Sequence, residues 1–359
     1  MTIDIQKNQS PKEKPVDPGT LGFGKIFTDH MFLMDYNESR GWHNARIVPY
    51  GPFSLDPAAC SLHYGQLIFE GLKAYRAADG RVVMFRPAEN IKRLNISAKR
   101  MCIPRFDEAF ALKAITELIK LDAGWIPGAP DTSLYVRPFV IGTQPFLGVK
   151  PSDSYTFCVI LSPSGALFTG GLTRIYVEDN AVRAVRGGTG HVKCAGNYGA
   201  CLNAQVEAQA QGYAQVLWLD GIERKYVEEV GAMNIFFVID GRVVTPELGG
   251  TILPGITRDS VLGMLRSMKI PAAERKISIR EVADAYNSGK LQEVFGAGTA
   301  AVISPIGVLK WGDQVMDIGG GKIGQISQKL YDNLTGIQTC RLPDPFGWVY
   351  TVDNGQLTV

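Results

Sequence analysis

The chain has 359 residues, 45% of them hydrophobic, with 37 Lys and Arg against 35 Asp and Glu and a formal net charge of +2. Two domains with sizeable cores are expected at that length and apolar content, and the near-neutral balance, with no basic stripe, excludes nucleic acid as a partner. No apolar run approaches the ~18 residues of a membrane span, so no membrane partner is expected, and the opening Met1-Thr2-Ile3-Asp4-Ile5-Gln6-Lys7 is unlike a signal peptide.

The segment Gln6 to Pro18 is rich in Lys, Pro and Ser. Such composition predicts a mobile tail, taken as residues 1–20. Val82-Val83-Met84-Phe85 reads as a strand, Ala109 to Leu121 as an amphipathic helix, and Ser154 to Leu161 as a further strand. Turn residues break the pattern at Ser162-Pro163-Ser164-Gly165 and again at Thr169-Gly170-Gly171. The domain junction is placed there: a first domain over 21–165, a linker over 166–180, and a second domain over 181–359. There are no internal repeats. The six cysteines (Cys60, Cys102, Cys158, Cys194, Cys201 and Cys340) contain no C-x-x-C pair and read as reduced thiols of a cytoplasmic protein. The four histidines lack ligand spacing, so no metal site is expected.

The second half carries the chemistry. Lys193 lies in Gly187-Gly188-Thr189-Gly190-His191-Val192-Lys193-Cys194-Ala195-Gly196-Asn197-Tyr198-Gly199. It is either a solvated lysine in a glycine loop or an amine whose apolar setting lowers its proton affinity and makes it a nucleophile for carbonyls. A helix follows around Tyr198 to Gln211, then a strand at Val216-Leu217-Trp218-Leu219. Glu228 and Glu229 precede the Gly231 turn and the apolar run Ile235 to Ile239. A carboxylate there is either solvated or an acceptor for a protonated ring nitrogen. Leu253-Pro254-Gly255-Ile256-Thr257 leads into a helical stretch with Val261, Leu262, Leu265 and Met268 on its apolar face, leaving amides at a helix start where anions bind. Phe295 to Ala301 is a second glycine-rich turn with a hydroxyl at Thr299. An amine, a phenol, a carboxylate and two phosphate cups together make a pyridoxal phosphate kit.

With these residues in view, the chain resembles the branched-chain amino-acid aminotransferases, class IV pyridoxal-phosphate enzymes of fold type IV. The matching blocks run from about Phe23 to Tyr350. They are Phe27-Thr28-Asp29-His30-Met31, Leu62-His63-Tyr64, Phe69-Glu70-Gly71-Leu72-Lys73-Ala74, Phe85-Arg86-Pro87 through Arg93, Ser133-Leu134-Tyr135-Val136-Arg137-Pro138, the Lys193 segment, Glu229-Val230-Gly231-Ala232-Met233-Asn234 and Leu253-Pro254-Gly255. The resemblance is to the longer branch that contains animal and mycobacterial enzymes. It implies a two-domain α/β (α+β) fold, a smaller domain before a larger one, with pyridoxal 5'-phosphate in the crevice between them.

The resemblance also implies roles. Lys193 would form the Schiff base with the cofactor and move the substrate proton. Tyr198 would bond the phenolic oxygen and Glu229 the ring nitrogen. Arg93, Ile256, Thr257 and Thr299 would hold the phosphate, with Arg183 near the phosphate or ring. Phe23, Tyr64, Phe69, Tyr135, Leu147 and Val149 match the side-chain pocket. Arg137 would take the γ-carboxylate of glutamate, and the amides near Ala232 and Ala300 the α-carboxylate. Family members are homodimers in which Tyr64 and the Leu147-Gly148-Val149 loop reach the neighbour's pocket. Expected substrates are leucine, isoleucine or valine with 2-oxoglutarate. Alternatives within the fold are a D-amino-acid aminotransferase or an aminodeoxychorismate lyase. Three departures stand out: Ala301-Val302-Ile303-Ser304 replaces a C-x-x-C pair, Leu167 stands where a pocket tyrosine is expected, and Ala232 replaces a threonine of some members.

Overall fold

The structure, a computed structural model, describes residues 1–165, 171–352 and the backbone of 356–357; Leu167 lies outside the described residues. The chain forms two compact units: Met1–Leu167 with Lys193–Ala195 and Gly336–Val359, and Phe168–Val192 with Gly196–Thr335. The stretch after 335 was expected in the later domain but joins the first unit, because its strand pairs there.

In chain order the strands are β1 (Asp4–Ile5), β2 (His30–Asn37), β3 (Gly41–Pro49), β4 (Leu67–Phe69), β5 (Leu72–Arg76), β6 (Val82–Phe85), β7 (Ser133–Gly142), β8 (Ser154–Ser164), β9 (Thr173–Glu178), β10 (Gln215–Leu219), β11 (Val227–Val230), β12 (Met233–Ile239), β13 (Arg242–Thr245), β14 (Ala272–Glu274), β15 (Leu291–Gly298), β16 (Val302–Trp311), β17 (Gln314–Asp317), β18 (Val349–Thr351) and β19 (Gln356–Leu357). The helices are α1 (Cys60–Tyr64), α2 (Pro87–Arg100), α3 (Glu108–Leu121), α4 (Ala195–Gly199), α5 (Leu202–Ala210), α6 (Ile256–Ser267), α7 (Ile279–Asn287) and α8 (Gln325–Gln338).

The first unit is built on one sheet in the order β1-β3-β2-β8-β7-β5-β6-β18-β19, with β4 also on β7. Val136, Val140, Phe157, Val159 and Leu161 on β7 and β8 are fully buried. Strand β8 runs on through Ser162-Pro163-Ser164, where a break was expected. There Leu134 and Tyr135 register with Pro163 and Ser162, so pairing with β7 overrides the local turn signal. Helix α3 packs on α2 and on β2. Asp107 caps α3 by accepting from Phe110 N at 2.7 Å, a contact worth about 1 kcal/mol.

The lysine- and proline-rich start, expected as a mobile tail, is held along this unit. Ile5 pairs with Ile47 on β3. Asn8 N donates to His30 Nε2 at 2.8 Å and Lys12 N to Asp29 Oδ1 at 2.8 Å. The Lys12 ammonium donates to Thr28 O at 2.9 Å. Backbone amides make most of these bonds, and composition does not register them.

The second unit has a sheet in the order β11-β10-β9-β16-β15-β12-β13-β14, with β17 on β16 and β11 also on β12. One face buries Ile175, Leu217, Ile235, Phe237 and Leu309 under α7 residues Val282 and Ala283. On the opposite face Ala204 and Ala208 of α5 pack with Trp218 and Tyr213. Ser278 caps α7 by accepting from Glu281 N. The β11–β12 turn needs its glycine: Gly231 has φ of 55°, and a Cβ there would lie 1.8 Å from Gln215 Oε1. No helix among the described residues is long and apolar enough to cross a membrane.

Candidate active site

In the first unit Lys193 is held by its main chain. Its N–H donates to Ser97 Oγ on α2 at 3.0 Å, and its carbonyl accepts from Phe69 N at the end of β4, also at 3.0 Å. Next to it, Cys194 bridges to Ile68. The backbone around the lysine therefore runs along β4 like a short edge strand. Its Nζ stands 4.9 Å from the Phe69 ring centre. The guanidinium of Arg137, from β7, lies 4.7 Å from the same ring and 5.2 Å from that of Tyr135. Arg137 Nη2 donates to the Tyr135 hydroxyl at 3.0 Å, and its Nε is buried without a hydrogen-bond partner among the described residues. A buried donor left over is unusual and suits an acceptor that arrives with a ligand. Phe23 meets the Tyr135 ring edge-on at 4.9 Å. Gly71 gives Tyr135 its room, since a Cβ there would lie 1.9 Å from the hydroxyl.

Arg93, on α2, forms a two-pronged pair with Glu70: Nε to Oε1 at 2.7 Å and Nη2 to Oε2 at 2.9 Å. Asn90 Nδ2 adds a bond to Glu70 Oε2 at 2.8 Å, and Gly71 N one at 3.2 Å. Burial alone would push the Glu70 carboxyl up, but the Arg93 charge and hydrogen bonds, helped by Lys193 and Asn90, leave it below its ordinary value. At the surface of the unit the Tyr64 hydroxyl donates to Leu147 O, and Leu147 and Val149 are 62% and 86% exposed.

In the second unit Glu229 lies on β11, 3% exposed. Its Oε1 accepts from Leu253 N at 2.6 Å and lies 3.2 Å from Arg183 Nη2. Arg183 Nη2 also donates to Gly190 O at 3.0 Å and Thr251 O at 2.5 Å, while its Nε is buried without a partner among the described residues. The neighbouring Glu228 accepts from Thr251 Oγ1 at 2.5 Å, and its other oxygen is buried and unbonded among the described residues. Burial pushes the Glu228 carboxyl above its ordinary value; Glu229 adds to this, and Thr251 and Arg183 oppose it. Helix α6 starts three residues after Leu253, and its N-cap, Gly255, has no side chain to cap it. Thr257 in that first turn is buried, and a Cβ on Gly255 would lie 1.9 Å from Asn234 Oδ1, so the helix start fits closely on β12. Thr299 and Ala300 are half-buried in the β15–β16 turn, Ala232 is exposed in the β11–β12 turn, and Tyr198 is half-buried in α4. Asn197 folds the segment before Tyr198 by donating to Val192 O at 2.9 Å and Thr189 O at 2.8 Å.

Thus Lys193, Phe69, Arg137, Tyr135 and Phe23 meet within one unit, and Arg183, Glu229 and the approach to α6 within the other. Sequence reasoning missed Glu70 as the partner of Arg93, and Thr251 altogether. Asn90 and Arg93, three apart on one helix face, hinted at a shared acceptor. Nothing local marks Thr251, which meets Glu228 from 23 residues away.

Residues 67–308 match the family model for amino-transferase class IV. Over 353 residues the chain is 53% identical to Branched-chain-amino-acid aminotransferase 2 of Bacillus subtilis (strain 168), covering 98% of this chain and 97% of that one. It is 48% identical to the Branched-chain-amino-acid aminotransferase of Mycolicibacterium smegmatis, over 97% of this chain and 98% of that one. Among solved structures, the Escherichia coli branched-chain amino acid aminotransferase superposes with a TM-score of 0.77 at 26% identity, covering 90% of this chain and 99% of that one. The T.th. branched-chain amino acid aminotransferase complexed with N-(5'-phosphopyridoxyl)-L-glutamate gives 0.74 at 29% identity, covering 89% of this chain and 98% of that one. With its mixed α/β architecture of fold type IV, this chain belongs to the class IV aminotransferases.

Proposed function

We propose that this protein is a branched-chain amino-acid aminotransferase. It moves the amino group of L-leucine, L-isoleucine or L-valine reversibly to 2-oxoglutarate, giving the branched 2-oxo acid and L-glutamate, a reading supported by several relatives of that name at 52–55% identity. Its cofactor is pyridoxal 5'-phosphate. The observation that carries the reading is the shared ring of Phe69, with the Lys193 amine on it at 4.9 Å and the Arg137 guanidinium at 4.7 Å. An amine that works on Cα and a cation that binds a carboxylate are needed within one amino-acid length of each other.

The residues present fit the cofactor. A helix start without a side-chain cap, beside the buried Thr257, suits a phosphate. A buried glutamate fixed by an amide and a guanidinium suits a ring N–H. When bound, the cofactor supplies an aldehyde for the lysine and a ring that accepts electrons. Lys193 would bond it and would carry the substrate α-proton. Tyr198 holds its phenolic oxygen and Glu229, backed by Arg183, its ring nitrogen. The amides of Ile256 and Thr257, with Thr299 and Arg93, hold the phosphate. Phe23, Tyr64, Phe69, Tyr135, Leu147 and Val149 take the aliphatic side chain and keep water away, while Arg137 takes the γ-carboxylate of glutamate. The amides near Ala232 and Ala300 receive the α-carboxylate.

The enzyme is further read as a cytoplasmic homodimer, on the strength of its scattered thiols and of the exposed Leu147 and Val149. The test is glutamate formation from 2-oxoglutarate and each branched-chain amino acid. Lys193→Ala should abolish it while still binding some cofactor; no glutamate from the wild-type protein with any of the three overturns the reading. For the dimer, inactive Lys193→Ala and Leu147→Asp subunits should regain activity when mixed. No recovery after verified subunit exchange sinks the shared site.

A further inference from the structure

Glu228 and Glu229 are neighbours on β11, so their side chains leave opposite faces of the strand. They are nevertheless joined by a relay. Glu228 Oε1 accepts from Thr251 Oγ1 at 2.5 Å, the Thr251 carbonyl accepts from Arg183 Nη2 at 2.5 Å, and that nitrogen lies 3.2 Å from Glu229 Oε1. Two residues past Thr251, Leu253 N donates to Glu229 at 2.6 Å. The segment from Thr251 to Leu253 is thereby pinned to β11 by one glutamate on each face. Glu228, Thr251 and Arg183 are 6%, 6% and 8% exposed, so water does not substitute for these bonds. The charged groups acting on Glu228 are Arg183, Glu229 and Asp220.

We propose that Glu228 is a positioning residue for Glu229: by holding the Thr251 hydroxyl it fixes the Thr251 carbonyl, and through it Arg183, so that Glu229 is presented as the partner of the cofactor's ring nitrogen. This rests on the reading of Glu229 given above. Glu228 serves only as an acceptor, a task for which a protonated acid or an amide is as good as a carboxylate. Its burial, which favours the uncharged acid, agrees with that. The side chain at 228 therefore has to reach Thr251 but does not have to carry charge.

The experiment compares holoenzymes of Glu228→Ala, Glu228→Gln, Thr251→Val and Thr251→Ser, with Glu229→Gln as reference. Three quantities are read: the pH titration of the bound cofactor's visible absorbance, the Kd of apoenzyme for pyridoxal phosphate, and the melting temperature of the apoenzyme. Glu228→Ala and Thr251→Val should move the absorbance titration in the same direction as Glu229→Gln and weaken cofactor binding about tenfold, the loss of one buried bond to a charged network. Glu228→Gln and Thr251→Ser should restore both to within about threefold. If Ala and Val lower only the melting temperature while Glu229→Gln moves the titration, Glu228 is merely structural and the proposal falls alone. If Gln is as damaging as Ala, the acceptor argument falls. If Glu229→Gln leaves the titration unmoved, the reading of Glu229 falls and takes the proposal with it. Should Glu228→Ala not fold, the Thr251 pair decides.

Discussion

Each unit buries an arginine–glutamate pair, and these two pairs are built differently. Glu70 and Arg93 are closed on each other: two parallel bonds, with Asn90 and Gly71 N taking further lone pairs of the carboxylate, whose proton affinity is depressed. Glu229 and Arg183 meet more loosely, at 3.2 Å. The same Arg183 Nη2 also donates to the carbonyls of Gly190 and Thr251, the Nε is unanswered among the described residues, and the adjacent Glu228 has its proton affinity raised. The same residue types thus make a tight, two-pronged clamp in one place and a looser contact in the other. Arg137, with its own Nε unanswered among the described residues, belongs with the second kind.

Removing one partner from each pair should separate these roles. Glu70→Ala leaves the buried Arg93 without its carboxylate and should cost about 3–5 kcal/mol in urea denaturation; a loss below about 1 kcal/mol would mean the clamp is not structural. Glu229→Gln should cost far less stability but roughly 10–100-fold in kcat/KM, the scale of a buried bond to a charged group. Equal losses of stability in the two variants would erase the contrast. Arg137→Met keeps apolar bulk and removes the carboxylate's partner. The glutamate half-reaction should slow by roughly 10–100-fold and the leucine half-reaction much less, as single-turnover absorbance would show.

The smallest effect is a pH dependence of opposite sign at the two sites. Glu70 has a folded value below its ordinary 4.5, so its contribution is present above 4.5 and is lost as acid titrates the folded carboxyl. Glu228 has a folded value above 4.5, so its contribution is full below 4.5 and is lost as the pH rises through the folded value. Glu228→Gln should therefore gain on the wild type as the pH rises above 4.5, by ~1.4 kcal/mol for each tenfold difference in proton affinity. A stability difference that stays flat with pH would show Glu228 to be unperturbed.

Elements whose own periodicity decides them were legible. The helix expected over Ala109 to Leu121 is α3, and the strand at Val82 to Phe85 is β6. The end of β8 was not legible, because Ser162-Pro163-Ser164 reads locally as a turn and only its partner β7 makes it a strand. The attachment of the first residues was hidden for a similar reason, since it runs through backbone amides. At the candidate site, Lys193 and the glutamates announced themselves by chemistry within a few residues. Which glutamate faces which way follows from strand alternation, but Thr251, Glu70 and Ser97 contribute through contacts 23 or more residues away. No local pattern encodes such distances.

Lys193–Ala195 count with the first unit although the chain on both sides counts with the second, and Gly336–Val359 return to the first. The polypeptide thus changes unit four times, at 167/168, 192/193, 195/196 and 335/336. No single cut yields two self-sufficient pieces. A fragment ending near residue 165 would lack the carbonyl that Phe69 N needs and the β18 strand that covers β6, and the remainder would carry both as orphans. Folding is then a joint event: the segment bearing the lysine finds its place only when β4, made more than a hundred residues earlier, is already there to receive it.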